Sequence, residues 1–457
     1  MVERFVYTED VGSSSLSSPT IPKQRNGCAL SPLRRARGLS AQLCHDAIGK
    51  PINDTLPARQ ACCALKIQIK DGRAQKPGQD AMGDDHSGTI KIVQEGARPR
   101  PDGIEALAPG RGIHPEEIVR PVKRRARMSG NLGPGQARPV ANSNFAANEI
   151  LNNVFTVGLG QPDGAFKIFV TTTTNVVVDV TGYYAPPGKG GLYFHPLPKP
   201  IRLMDTRATA TTGCNLPGTP IAAMTDTLAS AHLTCDGVTI PTSARAIVGN
   251  ATVVAPGGNG FLTLFPADAT RPFVASSNYR SGQVMNGPFT AGLTTSGQFK
   301  IYSVAQTELV IDVLGYYSNE ASDVNGTGLL FTPLPSPVRL LETRTGQAVG
   351  CTMLGMPISG GSSITQTARG TCDGMTVDNS ALAIVGNATV VGPLANGFLT
   401  MWPSSATQPF VAASNYALGK TFNRHFIVGL GSSDGAFKVF SASTTNLVID
   451  LSGYFAP

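Results

Sequence analysis

This chain repeats itself at a fixed offset, and that constrains its fold more than any other feature. Phe194-His-Pro-Leu-Pro-Lys-Pro-Ile-Arg-Leu-Met-Asp-Thr-Arg207 aligns with Phe331-Thr-Pro-Leu-Pro-Ser-Pro-Val-Arg-Leu-Leu-Glu-Thr-Arg344, an offset of 137. The same offset relates Ile247-Val-Gly-Asn-Ala-Thr-Val-Val254 to 384–391, Gly260-Phe-Leu-Thr263 to 397–400 and Ser277-Asn-Tyr279 to 414–416. One residue is then inserted, so that Asp312 matches Asp450 and Gly315-Tyr-Tyr matches Gly453-Tyr-Phe. A partial third copy lies upstream at an offset of 271. It runs from Ser143-Asn-Phe145 through Gly164-Ala-Phe-Lys167 to Asp179-Val-Thr-Gly-Tyr-Tyr184. Repeats this long read as domains in tandem rather than as thin solenoid layers.

Pro- and Gly-rich joints at 185–191 and 318–328 separate the copies. The chain therefore divides into a basic, low-order region over 1–129, a partial repeat over 130–186 and full repeats over 192–317 and 329–457. Inside a repeat the segments read as strands. Ala246–Val254 is rich in β-branched residues and stops at Pro256-Gly-Gly, and Phe299–Val304 alternates large apolar with polar residues. Leu309–Tyr317 is almost continuously apolar, the pattern of a strand covered on both faces. Turn signals recur about every 8–12 residues, and no window holds a helical period. The expected fold is all-β: tandem β-sandwich-like domains behind a disordered or irregular N-terminal region.

The net charge of +7 is unevenly placed. Residues 1–140 hold 22 Lys+Arg against 14 Asp+Glu, and the rest hold 15 against 16. This basic surplus reads as a solvated segment rather than a folded nucleic-acid face, and no nucleic-acid partner is expected. The same segment has no repeat and no apolar core of a signal peptide. It reads either as a basic tail or as a misassigned, non-native start. No apolar run is long enough for a membrane-spanning helix.

Each full repeat holds one pair of cysteines 21 residues apart, Cys214 with Cys235 and Cys351 with Cys372. The simple reading is one disulfide per repeat, which places the protein outside the cytoplasm. The spacing has no short C-x-x-C element and no repeated histidine, so zinc is disfavoured. Cys28, Cys44, Cys62 and Cys63 form no familiar pattern.

Asp179, Asp312 and Asp450 each interrupt an apolar strand, and a buried carboxylate needs a partner. The repeated arginines supply candidates. Structural ion pairs are expected between Asp312 and Arg202 or Arg207, and between Asp450 and Arg339 or Arg344. The alternative is a carboxylate that holds a ligand, or an arginine pair that grips an anion. Tyr279 and Tyr416, after the repeated Ser-Asn, are candidate ligand-platform residues. The closing pairs Tyr183/Tyr184, Tyr316/Tyr317 and Tyr454/Phe455 read either as core packing or as part of that platform. Asn250-Ala-Thr252 and Asn387-Ala-Thr389 match the glycosylation sequon but fall inside strands.

No histidine recurs between the full repeats: His195 is replaced by Thr332, His232 by Arg369 and His425 by Pro288. There is no Gly-x-Ser-x-Gly elbow and no phosphate loop. Asp84-Asp-His86 is an isolated acidic cluster. No catalytic set, metal site or cofactor is expected.

The motif order Arg-Leu-x-Asp-Thr-Arg, Gly-Asn-x-Thr-Val-Val, Gly-Phe-Leu-Thr, Ser-Asn-Tyr, Gly-x-Phe-Lys and Asp-x-x-Gly-Tyr-Phe resembles a group of tandem-repeat exported or surface proteins of environmental bacteria. The resemblance spans about 130–457 and implies an accessory or surface module, without assigning any binding residue. The expected function is a non-enzymatic structural or adhesive role at the cell surface. A carbohydrate- or cell-wall-binding module is the alternative, and a hydrolase a remote one. Candidate partners are cell-wall or extracellular polysaccharide, or surface proteins.

Overall fold

The computed structural model describes residues 141–457, apart from 148, 161–163 and 186–189, together with the backbone of 62–70 and 87–93. The described residues contain strands and turns and no helix. The first unit comprises β1 (Cys62–Lys70), β2 (Ser87–Val93), β3 (Ser143–Ala146), β4 (Leu151–Gly158), β5 (Lys167–Val170) and β6 (Asn175–Tyr184). The second comprises β7 (Tyr193–Asp205), β8 (Asp226–Ser230), β9 (Ala244–Val254), β10 (Gly260–Pro266), β11 (Ser277–Tyr279), β12 (Val284–Gly292), β13 (Gln298–Ser303) and β14 (Glu308–Ser318). The third repeats that series as β15 (Leu330–Glu342), β16 (Ser362–Thr367), β17 (Ala383–Val391), β18 (Gly397–Pro403), β19 (Ser414–Tyr416), β20 (Phe422–Gly429), β21 (Ala436–Ser441) and β22 (Asn446–Ala456).

In the second unit the sheets run β12-β9-β14-β7 and β11-β10-β13-β8. The first strand thus pairs with the last and the second with the seventh. That nested order is the jelly roll, two Greek keys folded into a sandwich. The third unit has the same order, β20-β17-β22-β15 and β19-β18-β21-β16, with a two-residue strand, Thr352–Met353, added beside β15. Between the sheets of the second unit, Leu262, Phe299 and Ile301 pack with Ile247, Val253 and Ile311. In the third, Leu399, Phe437 and Val439 meet Ile384, Val390 and Ile449. Pro196, Pro198 and Pro200 all lie on β7, the last strand of its sheet, where a missing N–H does not interrupt a ladder on both sides.

Two expectations about the chain's organisation are corrected. The region 1–129, read as low-order, supplies two strands. β1 pairs with both β4 and β6, and β2 with both β3 and β5. The first unit is therefore a jelly roll with six described strands, and the boundary at 129/130 passes through it. The alternation Leu65-Lys66-Ile67-Gln68-Ile69-Lys70 is a period-two pattern hidden within a segment that is basic on average. Cys62 and Cys63 begin β1. Cys28, Cys44 and Asp84-Asp-His86 lie outside the described residues.

The second correction concerns separateness. The units do not stand apart as beads. Phe194, Val248 and Tyr317 of the second unit share one buried cluster with Val385, Ile427 and Phe455 of the third, and Tyr184 of the first packs against it. The clustering explains the continuous apolar runs of β14 and β22: one face meets the unit's own second sheet and the other meets a neighbouring unit. The joint at 318–328 is itself folded, as a small hairpin of Ser322–Asp323 with Gly326–Thr327.

Three equivalent asparagines close the units into a ring. Asn152 Nδ2 donates to Ser276 O at 3.1 Å, and its Oδ1 accepts from Asn278 N at 2.9 Å. Asn286 makes the same two bonds to Ala413 O, at 2.9 Å, and from Asn415 N, at 2.8 Å. Asn423 makes them to Asn142 O, at 2.6 Å, and from Asn144 N, at 3.0 Å. The first unit thus grips the second, the second the third, and the third the first. β4, β12 and β20, each the end strand of its sheet, are buried along most of their length for this reason. A buried primary amide that matches a backbone donor and acceptor satisfies both partners, whereas removing it leaves both unmade. Asn286→Ala is expected to lower stability to urea by about 1–3 kcal/mol. An unchanged midpoint would show that the ring does not hold the units.

The repeated Val-Gly-Asn motif has a steric cause. A Cβ on Gly249 would collide with the carbonyl oxygen of Asp312, and one on Gly386 with that of Asp450. Both lie where the register between the two central strands shifts, and the close backbone approach at this bulge requires glycine.

Candidate functional site

The repeated acids and arginines assemble at the seams between units. Strand register places Asp312 on β14 opposite Arg202 on β7 and Asn250 on β9. Arg202 Nε donates to Asp312 Oδ1 at 3.0 Å, and Nη2 approaches Oδ2 at 3.5 Å. The backbone N of Ala412, from the third unit, donates to Asp312 Oδ2 at 3.3 Å. The Phe410 ring lies 5.2 Å from the Arg202 guanidinium carbon. Arg207 does not reach Asp312. It forks onto Asp205, with Nε at 2.9 Å from Oδ1 and Nη2 at 2.6 Å from Oδ2.

The third unit repeats the geometry. Arg339 Nε lies 2.9 Å from Asp450 Oδ1, and Arg344 holds Glu342 at 2.9 and 2.7 Å. Each set thus balances two carboxylates against two guanidinium groups, with the second arginine's fork already filled by its own acid. That occupancy argues against an anion grip and for a structural pair. Burial pushes the Asp312 and Asp450 carboxyls above their ordinary value, against the pull of Arg202 and Arg339. Burial acts on Asp205 and Glu342 too, but hydrogen bonds and charge from Arg207 and Arg344 hold both carboxyls low.

Tyr279 and Tyr416 do not form a platform. They are 4% and 6% exposed, and each hydroxyl bonds a buried serine, Ser303 at 2.6 Å and Ser441 at 2.8 Å. Their rings lie across Gly260 and Gly397, whose strand partners they are, and any Cβ there would strike them. The Gly-Phe-Leu-Thr and Ser-Asn-Tyr motifs therefore belong to one packing unit. The polar Ser-Asn neighbours made the tyrosines look exposed. Among the closing pairs, Tyr184, Tyr317 and Phe455 meet near the centre of the ring, with ring centroids 5.8 and 6.3 Å from Tyr184. Tyr183 is 52% exposed. Asn250 and Asn387 of the sequons are buried in β9 and β17.

Cys214 and Cys235 form one disulfide and Cys351 and Cys372 another, each with a Cα separation of 5.6 Å. Each ties the segment after the first strand of a unit to a short hairpin, 233–240 or 370–377.

The sequence reading gave no role to two buried basic residues. Arg424 and His425 lie on β20 against the first unit. Arg424 Nη1 donates to Asn152 O at 3.1 Å, its ring neighbour is Phe422 at 4.0 Å, and among the described residues Nε has no hydrogen-bond partner. Burial lowers its pKa to about 9. His425 accepts the same penalty and is pushed down to about 4. The equivalents in the other units are Gly287 and Pro288, and Asn153 and Val154. A comparison restricted to recurring residues could not find them.

A cleft between the first and third units, lined by Asn142, Thr156, Asn387 and Asp450, measures about 20 Å³, room for roughly one water. Among the described residues no group of three or more His, Cys, Asp or Glu is placed to hold a metal, and no helix is long and apolar enough to cross a membrane.

No protein-family model and no curated protein matches this chain. A solved structure from an archaeal virus, described as "The Triple Jelly Roll Fold and Turret Assembly in an Archaeal Virus", is similar over 89% of this chain and 81% of its own. Its identity is 11% and its TM-score 0.15. At that level it carries no argument, and the jelly-roll reading rests on strand order.

Proposed function

We propose that this chain is a non-enzymatic, exported scaffold with a structural or adhesive role at the cell surface. The observation that carries the reading is how the recurring polar residues are used. The Asp–Arg sets and the Ser–Tyr pairs are engaged in tying the strands within each unit, and the ring asparagines in holding the units to one another. Two disulfides in the repeats fit an oxidising compartment.

A second reading, a carbohydrate-binding module, draws on a different pair of aromatics. Phe398 is 38% exposed on the outer sheet of the third unit, with Phe440 at 5.8 Å between ring centroids. In the second unit the equivalent Tyr302 is covered by Arg271, 3.8 Å above its ring.

Co-sedimentation of the full chain with insoluble cell wall, cellulose and chitin separates the readings. The scaffold reading expects no saturable retention and no release of soluble sugar. Saturable retention lost in Phe398→Ala would replace it with the second, and released sugar would replace both with a hydrolase.

A further inference from the structure

The second and third units build the same pair of loops at one end of the sandwich and fill them differently. In the third unit Gly419 N donates to Pro393 O at 2.8 Å, Leu418 N to Asn396 Oδ1 at 2.9 Å and Leu394 N to Thr444 O at 2.9 Å. In the second unit Gly282 N, Ser281 N and Gly257 N make the same three bonds, to Pro256 O at 2.9 Å, Asn259 Oδ1 at 3.0 Å and Gln306 O at 2.9 Å. Gly257 and Ser281 are therefore enough to build this backbone. The third unit has leucines in their places, and Leu394 and Leu418 are 71% and 61% exposed.

Folding does not require the two leucines, and holding them in water is unfavourable. Phe398, two residues beyond Asn396 on β18, extends the exposed apolar surface onto the outer sheet. The charge around them has one sign. Strands β16, β18, β19 and β21, with the loops 359–361, 392–396, 417–420 and 442–445 at this end, contain Lys420 and Lys438 and no Asp or Glu. The matching sheet of the second unit carries Asp226 where the third has Ser363.

We propose that this end of the third unit is a contact site for an anionic lipid surface. Leu394 and Leu418 project from loops and line no groove. Projecting leucines suit an interface that deforms around them, whereas a rigid protein partner would need a matching pocket. Apolar side chains at a headgroup boundary gain from the area they bury there, and nearby lysines gain from the negative surface potential. Lys420 is exposed two residues from Leu418, with no carboxylate in these loops to neutralise it. The contact lays the chain on the membrane by one end. It goes beyond the scaffold reading and does not depend on it.

The test is flotation of the full chain, under non-reducing conditions, with vesicles of phosphatidylglycerol and phosphatidylcholine or of phosphatidylcholine alone. Saturable flotation with the anionic vesicles is expected. Leu394→Ser combined with Leu418→Ser should weaken the partitioning by roughly tenfold or more and leave the melting curve in place. Lys420→Gln, which copies Gln283 of the second unit, should weaken it about fivefold at low salt. Absence of flotation, equal flotation with both kinds of vesicle, or undiminished flotation of the double-serine variant would overturn the proposal. So would self-association that the double-serine change abolishes and vesicles do not compete, because the leucines would then belong to a contact with a second copy of the chain.

Discussion

Asp312→Ala will lower the stability of the protein by about 3–5 kcal/mol, the largest loss expected from any single charge. The carboxylate is fully buried, lies 3.0 Å from Arg202 Nε, and accepts a further bond from Ala412 of the next unit. Removing it leaves Arg202, itself only 11% exposed, with the longer 3.4 Å contact to Asp205 as its remaining acid. The cost is that of stranding a cation and a backbone N–H at a seam, rather than the net worth of the pair. The double variant Asp312→Ala with Arg202→Met should therefore recover much of the loss. Urea unfolding at neutral pH measures both. A double variant no more stable than the single would show that the damage comes from lost packing instead.

The second large effect is on pH. His425 has its pKa held at about 4 by burial, against 6.5 when exposed. Unfolding lets the imidazole take up a proton that the folded state refuses, so stability must fall as pH drops from 6.5 towards 4. The full loss is about 3 kcal/mol. Arg424 beside it is also buried, and burial lowers its pKa as well. Asp312 and Asp450 act in the opposite sense: raised carboxyls take up protons in the folded state above the ordinary carboxylate value, which offsets part of the His425 loss. Asp205 and Glu342, held low, cost stability only below that value. Removing the imidazole isolates the His425 contribution. His425→Val, which restores the residue type of the first unit, should flatten the melting temperature between pH 6.5 and 5. A slope that survives in the variant would assign it to another group.

These residues show how far sequence alone could reach. The all-β class was legible because β-branched segments stop at proline or glycine, and the cysteine spacing was legible because it recurs unchanged. The alignment showed that Asp312 needed a cation, but two arginines five residues apart were equally placed. Only strand register puts Arg202, and not Arg207, across from it. The ring asparagines recur at the same offsets as the motifs, yet a lone Asn in an apolar strand gives no hint that its partner lies in another unit. Tyr279 was misjudged for a related reason: the glycine that makes room for its ring is on a different strand. Arg424 and His425 were given no role because they occur once.

The asparagine contacts also fix how many units the molecule can hold. An open array of repeats ends in two bare interfaces, needs distinct caps and can lengthen by duplication. Here the third unit's Asn423 returns to the backbone of the first, at Asn142 and Asn144. The array therefore has no terminal interface left over for a fourth member. Each link would have to change its angle to admit one, so duplication within this gene would yield a second ring rather than a longer one. In this architecture copy number is set by the angle of each link rather than by the length of the chain.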